Sequence, residues 1–265
     1  MNIFIREIKA NFKSLLIWCG AQFFVILAGM MKYSGFSNSK VDINSMMDQF
    51  PKGLKAVFGI GTVDLSQISG FYSLFFMFFV LIAAIHASML GAVIISKEER
   101  DHSADFLFAK PVRRSRVITA KLAAALVNLL VLNLVTFTSS LYFIAKYNHG
   151  NPIADKIFIL MIALLILQIL FLCIGSALGA AMKTTKVAVS VTTGILLGTY
   201  FLSIGIDMDE RLDFLKIISP FKYFDASSLL FGGSYSVTSL LLCALLTSIC
   251  LYVTYVKFDS RDLTT

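Results

Sequence analysis

Six apolar runs, each about as long as a membrane span, pass without a single aspartate or glutamate. They cover roughly residues 15–32, 71–96, 119–145, 157–182, 187–206 and 236–257, enough helix in each case to cross about 30 Å of hydrocarbon. A backbone in hydrocarbon has no water to bond, so every N–H and C=O in such runs must be satisfied within the segment, and the helix does that. The expected fold class is therefore all-α: a polytopic membrane protein of six transmembrane helices, with residues 1–265 forming one transmembrane domain. Composition agrees. The chain is 57% apolar and 15% charged, with mean hydropathy +0.81, where a soluble domain carries about 25% charged residues.

The lack of carboxylates in the spans bears on mechanism. Proton- and sodium-coupled carriers usually keep intramembrane carboxylates as ion relays. Their absence argues against a secondary transporter, although ion sites built from backbone carbonyls stay open.

Before the first span, Phe4, Ile5, Ile8, Phe12 and Leu15 share one stripe, opposite Arg6, Lys9 and Lys13. This spacing predicts an N-terminal amphipathic helix over residues 1–14. It is expected to lie in the headgroup plane with its cations toward anionic lipid. The run from Leu15 to Met31 has no clean small-residue cleavage pattern after it and is read as an uncleaved first span.

The net charge of +7 fits basic cytoplasmic loops rather than nucleic-acid binding, because no basic patch alternates with exposed aromatics. With the N-terminus inside, Arg6, Lys9, Lys13, the cations from Lys97 to Lys121, Lys183, Lys186, Lys257 and Arg261 are all inside. These are most of the 23 Lys and Arg, and they sit in the shorter segments. Both termini are thus expected in the cytoplasm of a multi-pass protein of a cell membrane, bacterial by its general character. The four cysteines fall in apolar runs and read as small buried hydrophobes, and no clustered Cys or His spacing suggests a metal.

The densest charge lies between spans 2 and 3. Seven cations and four carboxylates stand between Lys97 and Lys121. Such a segment must lie outside the bilayer. It is expected to form a short cytoplasmic helix that docks a soluble partner. Glu98, Glu99 and Asp105 are candidates for charge pairing, and Phe106, Leu107 and Phe108 for an apolar anchor. Pro111 would end the helix, because it pushes Lys110 out of helical conformation. Arg113, Arg114 and Arg116 are candidates instead for contact with phosphates of the inner leaflet. On the other side, Pro51 is placed to start a helix, with Leu54, Val57 and Phe58 giving it an apolar face. Residues 207–235 open acidic, turn apolar from Phe214 to Phe231, and are expected to dip partly into the bilayer.

Four segments in this order resemble the membrane subunit of type-2 ATP-binding-cassette exporters. The first is the polar segment, where Glu98, Glu99, Ser103, Asp105, Leu107-Phe108, Pro111, Arg114 and Lys121 fit the family pattern. It departs at His102, where Gly is usual, and at Ser103, where Thr is usual. The others are Phe50-Pro51 with Val57-Phe58-Gly59, Ile218 to Phe224, and the tail Phe258 to Leu263. The resemblance implies a six-helix permease that pairs with a second permease chain, identical or related, and binds two cytoplasmic ATPase subunits. The polar segment would be its coupling helix. The chain holds no Gly-x-x-x-x-Gly-Lys-Ser/Thr phosphate loop, so ATP and Mg would be bound and ATP hydrolysed in a partner chain, with no cofactor in this one. The substrates implied are hydrophobic or amphiphilic: a peptide, an antibiotic, a lipid or a glycan precursor. The alternative is a non-transport membrane scaffold or sensor whose polar segment recruits a cytoplasmic partner.

Polar residues inside the spans have two readings each. Asn128, Asn133 and Gln168 are candidates for lining a substrate route, and equally for hydrogen bonds between helices. His86 has no acidic neighbour in the spans and reads as a histidine bonded to backbone or hydroxyl. Gly175 and Gly179 give span 4 a small-residue face for close packing within the chain or at a dimer seam.

Overall fold

The computed structural model describes residues 3–38, 43–57, 64–100, 113–147 and 153–260. Six long helices carry the fold: α1 (Ile3–Asn38), α4 (Ile68–Arg100), α5 (Arg114–Tyr147), α6 (Ala154–Ala181), α7 (Thr185–Met208) and α9 (Val237–Asp259). Each is long and apolar enough to cross a membrane. The described residues also hold three short helices: α2 (Ile43–Asp48), α3 (Lys52–Val57) and α8 (Ala226–Leu230). The protein is all-helical in its described residues, a multi-pass membrane protein whose spans lie where the apolar runs place them.

α4 and α6 form the centre. They run parallel and close, because glycine lets the two backbones meet. A Cβ added at Gly91 would fall inside van der Waals contact of the Leu172 carbonyl oxygen, and one at Gly175 likewise on Ser88. At Gly179 it would stand 2.6 Å from the Ala92 oxygen. The small-residue face of α6 is thus an intrachain seam. α1 and α5 pack on each other and on α4. α7 lies against α4 and α6, and α9 against α6 with a lighter contact to α5. α9 is the most peripheral, presenting Val237, Leu241, Leu245, Ile249, Tyr252 and Val256 outward. Facing lipid, such a stripe costs nothing, since hydrocarbon is as apolar as the side chains.

One expectation is corrected. The segment assigned to a separate helix in the headgroup plane forms the first turns of α1, which continues unbroken to Asn38. No Gly or Pro lies between Ile3 and Cys19 to break it. Its inward face is fixed by Glu7, which is fully buried against the end of α4. At 36 residues α1 measures about 54 Å, well beyond the hydrocarbon core.

The two longer connections at the end opposite the chain termini are built, not slack, in their described residues. Pro51 precedes α3 as its sequence predicts. Asp64 gathers the segment before α4: its carboxylate accepts from the Ser66 hydroxyl at 2.6 Å and from the Asn44 amide at 2.7 Å. Those hydrogen bonds, from the Ser66 side chain first and then Asn44, hold its carboxyl below the usual range. Residues 209–236 turn back into the bundle, with 3₁₀ turns over 210–217 and 220–222 ahead of α8. Tyr223, Phe224, Leu229 and Leu230 are buried in the main core. Phe221 wedges between α6 and α7, its ring centroid 5.2 Å from Phe171 and 5.4 Å from Tyr200. Tyr200 stands eight residues inside the end of α7, so the wedge reaches about 12 Å below that end. The segment expected to dip thus packs into the bundle, between α6 and α7. Asp225 caps α8, accepting from the Ser228 N–H at 2.8 Å. Burial pushes its carboxyl upward, but the Ser227 and Ser228 hydrogen bonds and nearby Lys222 outweigh that and hold it low.

Candidate functional site

The polar groups of the bundle converge on the last turns of α4, immediately before the charged segment. Three helices grip this end. From α5, Lys121 is fully buried and its ammonium donates to the Ile94 carbonyl at 2.6 Å. From α7, the Thr185 hydroxyl donates to the Ser96 carbonyl at 3.1 Å. From α1, Glu7 forms an ion pair with Lys97. Ile94 and Ser96 lie within the helix, so each carbonyl takes this bond on a second lone pair, and a cation is suited to the C-terminal end of a helix dipole. Ser96 also donates to the Ala92 carbonyl at 2.7 Å, which keeps its own hydroxyl satisfied inside the cluster.

Local sequence explains the geometry. Residues 182–184 make a tight turn after α6, and Thr184 caps α7 by accepting from the Val187 N–H at 3.4 Å. That turn brings Thr185 directly onto α4. In α1, Glu7 falls on the stripe of Phe4, Ile8 and Leu15, at helical spacing, so it faces the bundle while Lys9 and Lys13 stay exposed. Arg6 approaches the same carboxylate at 3.3 Å.

A second set of bonds joins α5 to α9 at the same end. Arg114 donates to the Phe258 and Asp259 carbonyls, at 3.3 and 2.9 Å, and so satisfies the end of α9. The Thr119 and Tyr255 hydroxyls meet at 2.8 Å. Deeper in, Ser176 of α6 and Thr254 of α9 share a hydrogen bond of 3.1 Å. The start of α1, the end of α4, the starts of α5 and α7, and the end of α9 therefore form one connected polar layer.

The residues proposed for coupling fall partly on this layer. Glu98 and Glu99 belong to the last turn of α4. Arg114 opens α5 and is engaged with α9. Ser103, Asp105, Phe106, Leu107, Phe108 and Pro111 lie outside the described residues. The three residues proposed for a substrate route divide. Asn128 is buried and donates to the Ala124 carbonyl of its own helix at 2.8 Å. Asn133 donates to the Met161 carbonyl at 3.0 Å and ties α5 to α6. Gln168 is fully buried in α6, and neither its amide nitrogen nor its oxygen meets a hydrogen-bond partner among the described residues. His86 lies against Trp18, ring centroids 5.5 Å apart, with Nδ1 similarly unpartnered among the described residues.

Sequence reasoning missed Glu7 and misjudged Lys121. Glu7 carried a signal: it is the only carboxylate before Asp42, and it sits on the apolar stripe of an otherwise basic helix. Lys121 resembled another loop cation at the edge of a span. Nothing in its spacing distinguishes a buried lysine reaching a helix end from one in solvent.

The model of the family described as ABC-2 family transporter protein matches residues 1–263. No curated protein matches the chain.

Proposed function

Because the chain belongs to the ABC-2 family of transporter proteins, we propose that it is the permease subunit of an ATP-driven exporter. Its cargo is a hydrophobic or amphiphilic molecule: a peptide, an antibiotic, a lipid or a glycan precursor. ATP and Mg are bound by separate cytoplasmic ATPase subunits. Both chain termini and segment 98–112 face the cytoplasm of a cell membrane, and two permease chains pair to enclose the route. The observation that carries this reading is the polar layer at the end of α4. Segment 98–112 leaves from the helix that α1, α5 and α7 all grip. A displacement applied there would reach several spans as a rigid-body motion.

Pairing has support in α7. Ser190, Gly194 and Gly198 form an exposed stripe at four-residue spacing. A Cβ added at either glycine would meet nothing within 4 Å. A second α7 brought against this stripe could pack closely, as small residues allow in membranes.

The test is docking. Reversing Glu98 and Glu99 to Lys should weaken ATPase binding by about 2–5 kcal/mol, the usual cost of breaking partly buried charge pairs at an interface. Phe106→Ala with Leu107→Ala should remove an anchor worth about 2 kcal/mol or more. Both variants should insert at normal abundance, lose the co-purifying ATPase and lose transport. Retention of the ATPase and of full activity in both would overturn the coupling assignment and favour the scaffold reading.

A further inference from the structure

α1 and α4 run antiparallel in a constant register along nearly their whole length. Glu7 meets Lys97, and Trp18 meets His86. The Gln22 amide donates to the Phe79 carbonyl at 3.4 Å. A Cβ on Gly29 would stand 2.8 Å from Phe75, and Tyr33 meets Phe71 at a tilt of 53° with centroids 5.4 Å apart. Most of these contacts are aromatic or apolar. They hold the helices together but resist sliding weakly, because dispersion has no direction. Besides the Gln22 amide, the exception stands at one end, where the Glu7 carboxylate, 0% exposed, faces an ammonium 14% exposed. Charges taken out of water in this way are costly to separate, since Lys97 would lose its carboxylate and Glu7 would keep only Arg6 of its own helix. The links from Lys121 and Thr185 to Ile94 and Ser96 end on neutral carbonyls instead.

We infer that Glu7 is a positioning residue of the transport cycle: its ion pair with Lys97 makes α1 follow the end of α4 when segment 98–112 is displaced. The inference rests on the reading of that segment as the ATPase-docking element. Lys97 stands one residue before Glu98, so it moves with whatever moves the segment. If Lys97 leaves, the fully buried Glu7 carboxylate keeps only Arg6 of its own helix, and α1 loses its one charge partner on α4 among the described residues. α1 thereby becomes a driven helix rather than a passive anchor in the headgroups.

The experiment reads the motion of α1 directly. The permease, with its four cysteines replaced by Ala and Ser14→Cys on the exposed side of α1, carries an environment-sensitive fluorophore in proteoliposomes with its co-purified ATPase. The probe added is Mg-ATP with vanadate. The parent should show a shift in emission. Glu7→Gln should keep the ATPase bound and reduce that shift about tenfold, within the span of coupling between distant sites. Exchanging the charges, Glu7→Lys with Lys97→Glu, should restore it. The double variant Glu7→Gln with Lys97→Met leaves no buried unpaired charge, so it should fold even where Glu7→Gln alone does not, and it too should lose the shift. A full shift in the neutral double variant would overturn the inference, because a merely structural pair predicts it; so would a folded exchanged pair that stays silent, because the ion pair would then be present without the motion. A parent that binds the ATPase and shows no shift would overturn it as well. A parent with which no ATPase co-purifies would instead bring down the transporter reading on which it rests.

Discussion

Two pairs of glycines share a spacing and differ in what they face. Gly175 and Gly179 on α6 lie against the backbone of α4, where a Cβ at Gly179 would stand 2.6 Å from the Ala92 oxygen. Gly194 and Gly198 on α7 have the same four-residue interval and meet nothing within 4 Å. In the first pair the small side chain is spent inside the chain, bringing two central helices together. In the second the same motif is open. The comparison teaches that a small-residue interval marks capacity for close approach, and that only the neighbouring helix decides whether the capacity is used.

Three sets of substitutions test this contrast. The largest effect is expected at the seam. Gly175→Ala and Gly91→Ala each force a methyl group into an opposing backbone, which cannot swing aside as a side chain would. Each should destabilise by about 1–3 kcal/mol or more, as overpacking does, and should lower the melting temperature in detergent. The two positions lie on one seam, so their combined cost should not be additive. If Gly175→Ala melts like the parent, the α4–α6 seam is looser than described. Next comes the open stripe. Gly194→Leu with Gly198→Leu should leave the melting of the single chain within about 0.5 kcal/mol of the parent, as surface changes usually do. The same variant should convert a pair of permease chains to single chains by native mass measurement. Pairs that persist would show that the stripe faces lipid. The smallest effect is expected at Gly20 and Gly205, which also meet nothing within 4 Å. Replacing either by Ala should be neutral or stabilise by up to about 1 kcal/mol, from helix propensity alone. A clear loss of stability at either would show that openness in the single chain does not predict tolerance.

The spans were legible because hydrocarbon leaves a backbone so few choices. Apolar length alone located six helices, and Pro51 located α3. The turn of residues 209–236 into the bundle was visible as an acidic start followed by an apolar stretch. The N-terminal stripe was visible too, yet its partner was not. A stripe of Phe4, Ile8 and Leu15 looks the same whether it meets headgroups or helices. The deciding residue was Glu7, and a lone carboxylate reveals its role only when Lys97, far away in sequence, is placed opposite it. The same holds for Lys121, whose position at a span edge suggests solvent until the Ile94 carbonyl appears beside it. Gly175 and Gly179 declared close packing but not the identity of the neighbour. The resemblance implies a coupling element in the polar segment after Lys97, and of its residues Glu98 belongs to the last turn of α4 while Arg114 is engaged with α9.

Phe71, Phe75 and Phe79 recur on α4 at intervals of one helical turn. Slid by a turn, α1 would trade one ring for the next, and the apolar part of the contact would look much the same. The Gln22 amide on the Phe79 carbonyl breaks this repetition in the middle, and further marks stand at its two extremes. At one end is the Glu7–Lys97 pair, and at the other the Tyr33 hydroxyl donates to the Ser66 carbonyl at 3.2 Å. They act as the end stops of a vernier, choosing one alignment from several that dispersion would accept, much as a single polar residue fixes the phase of a coiled coil. During insertion, when α1 and α4 first meet, the rings would favour association at many offsets, and the two polar ends would select the native one.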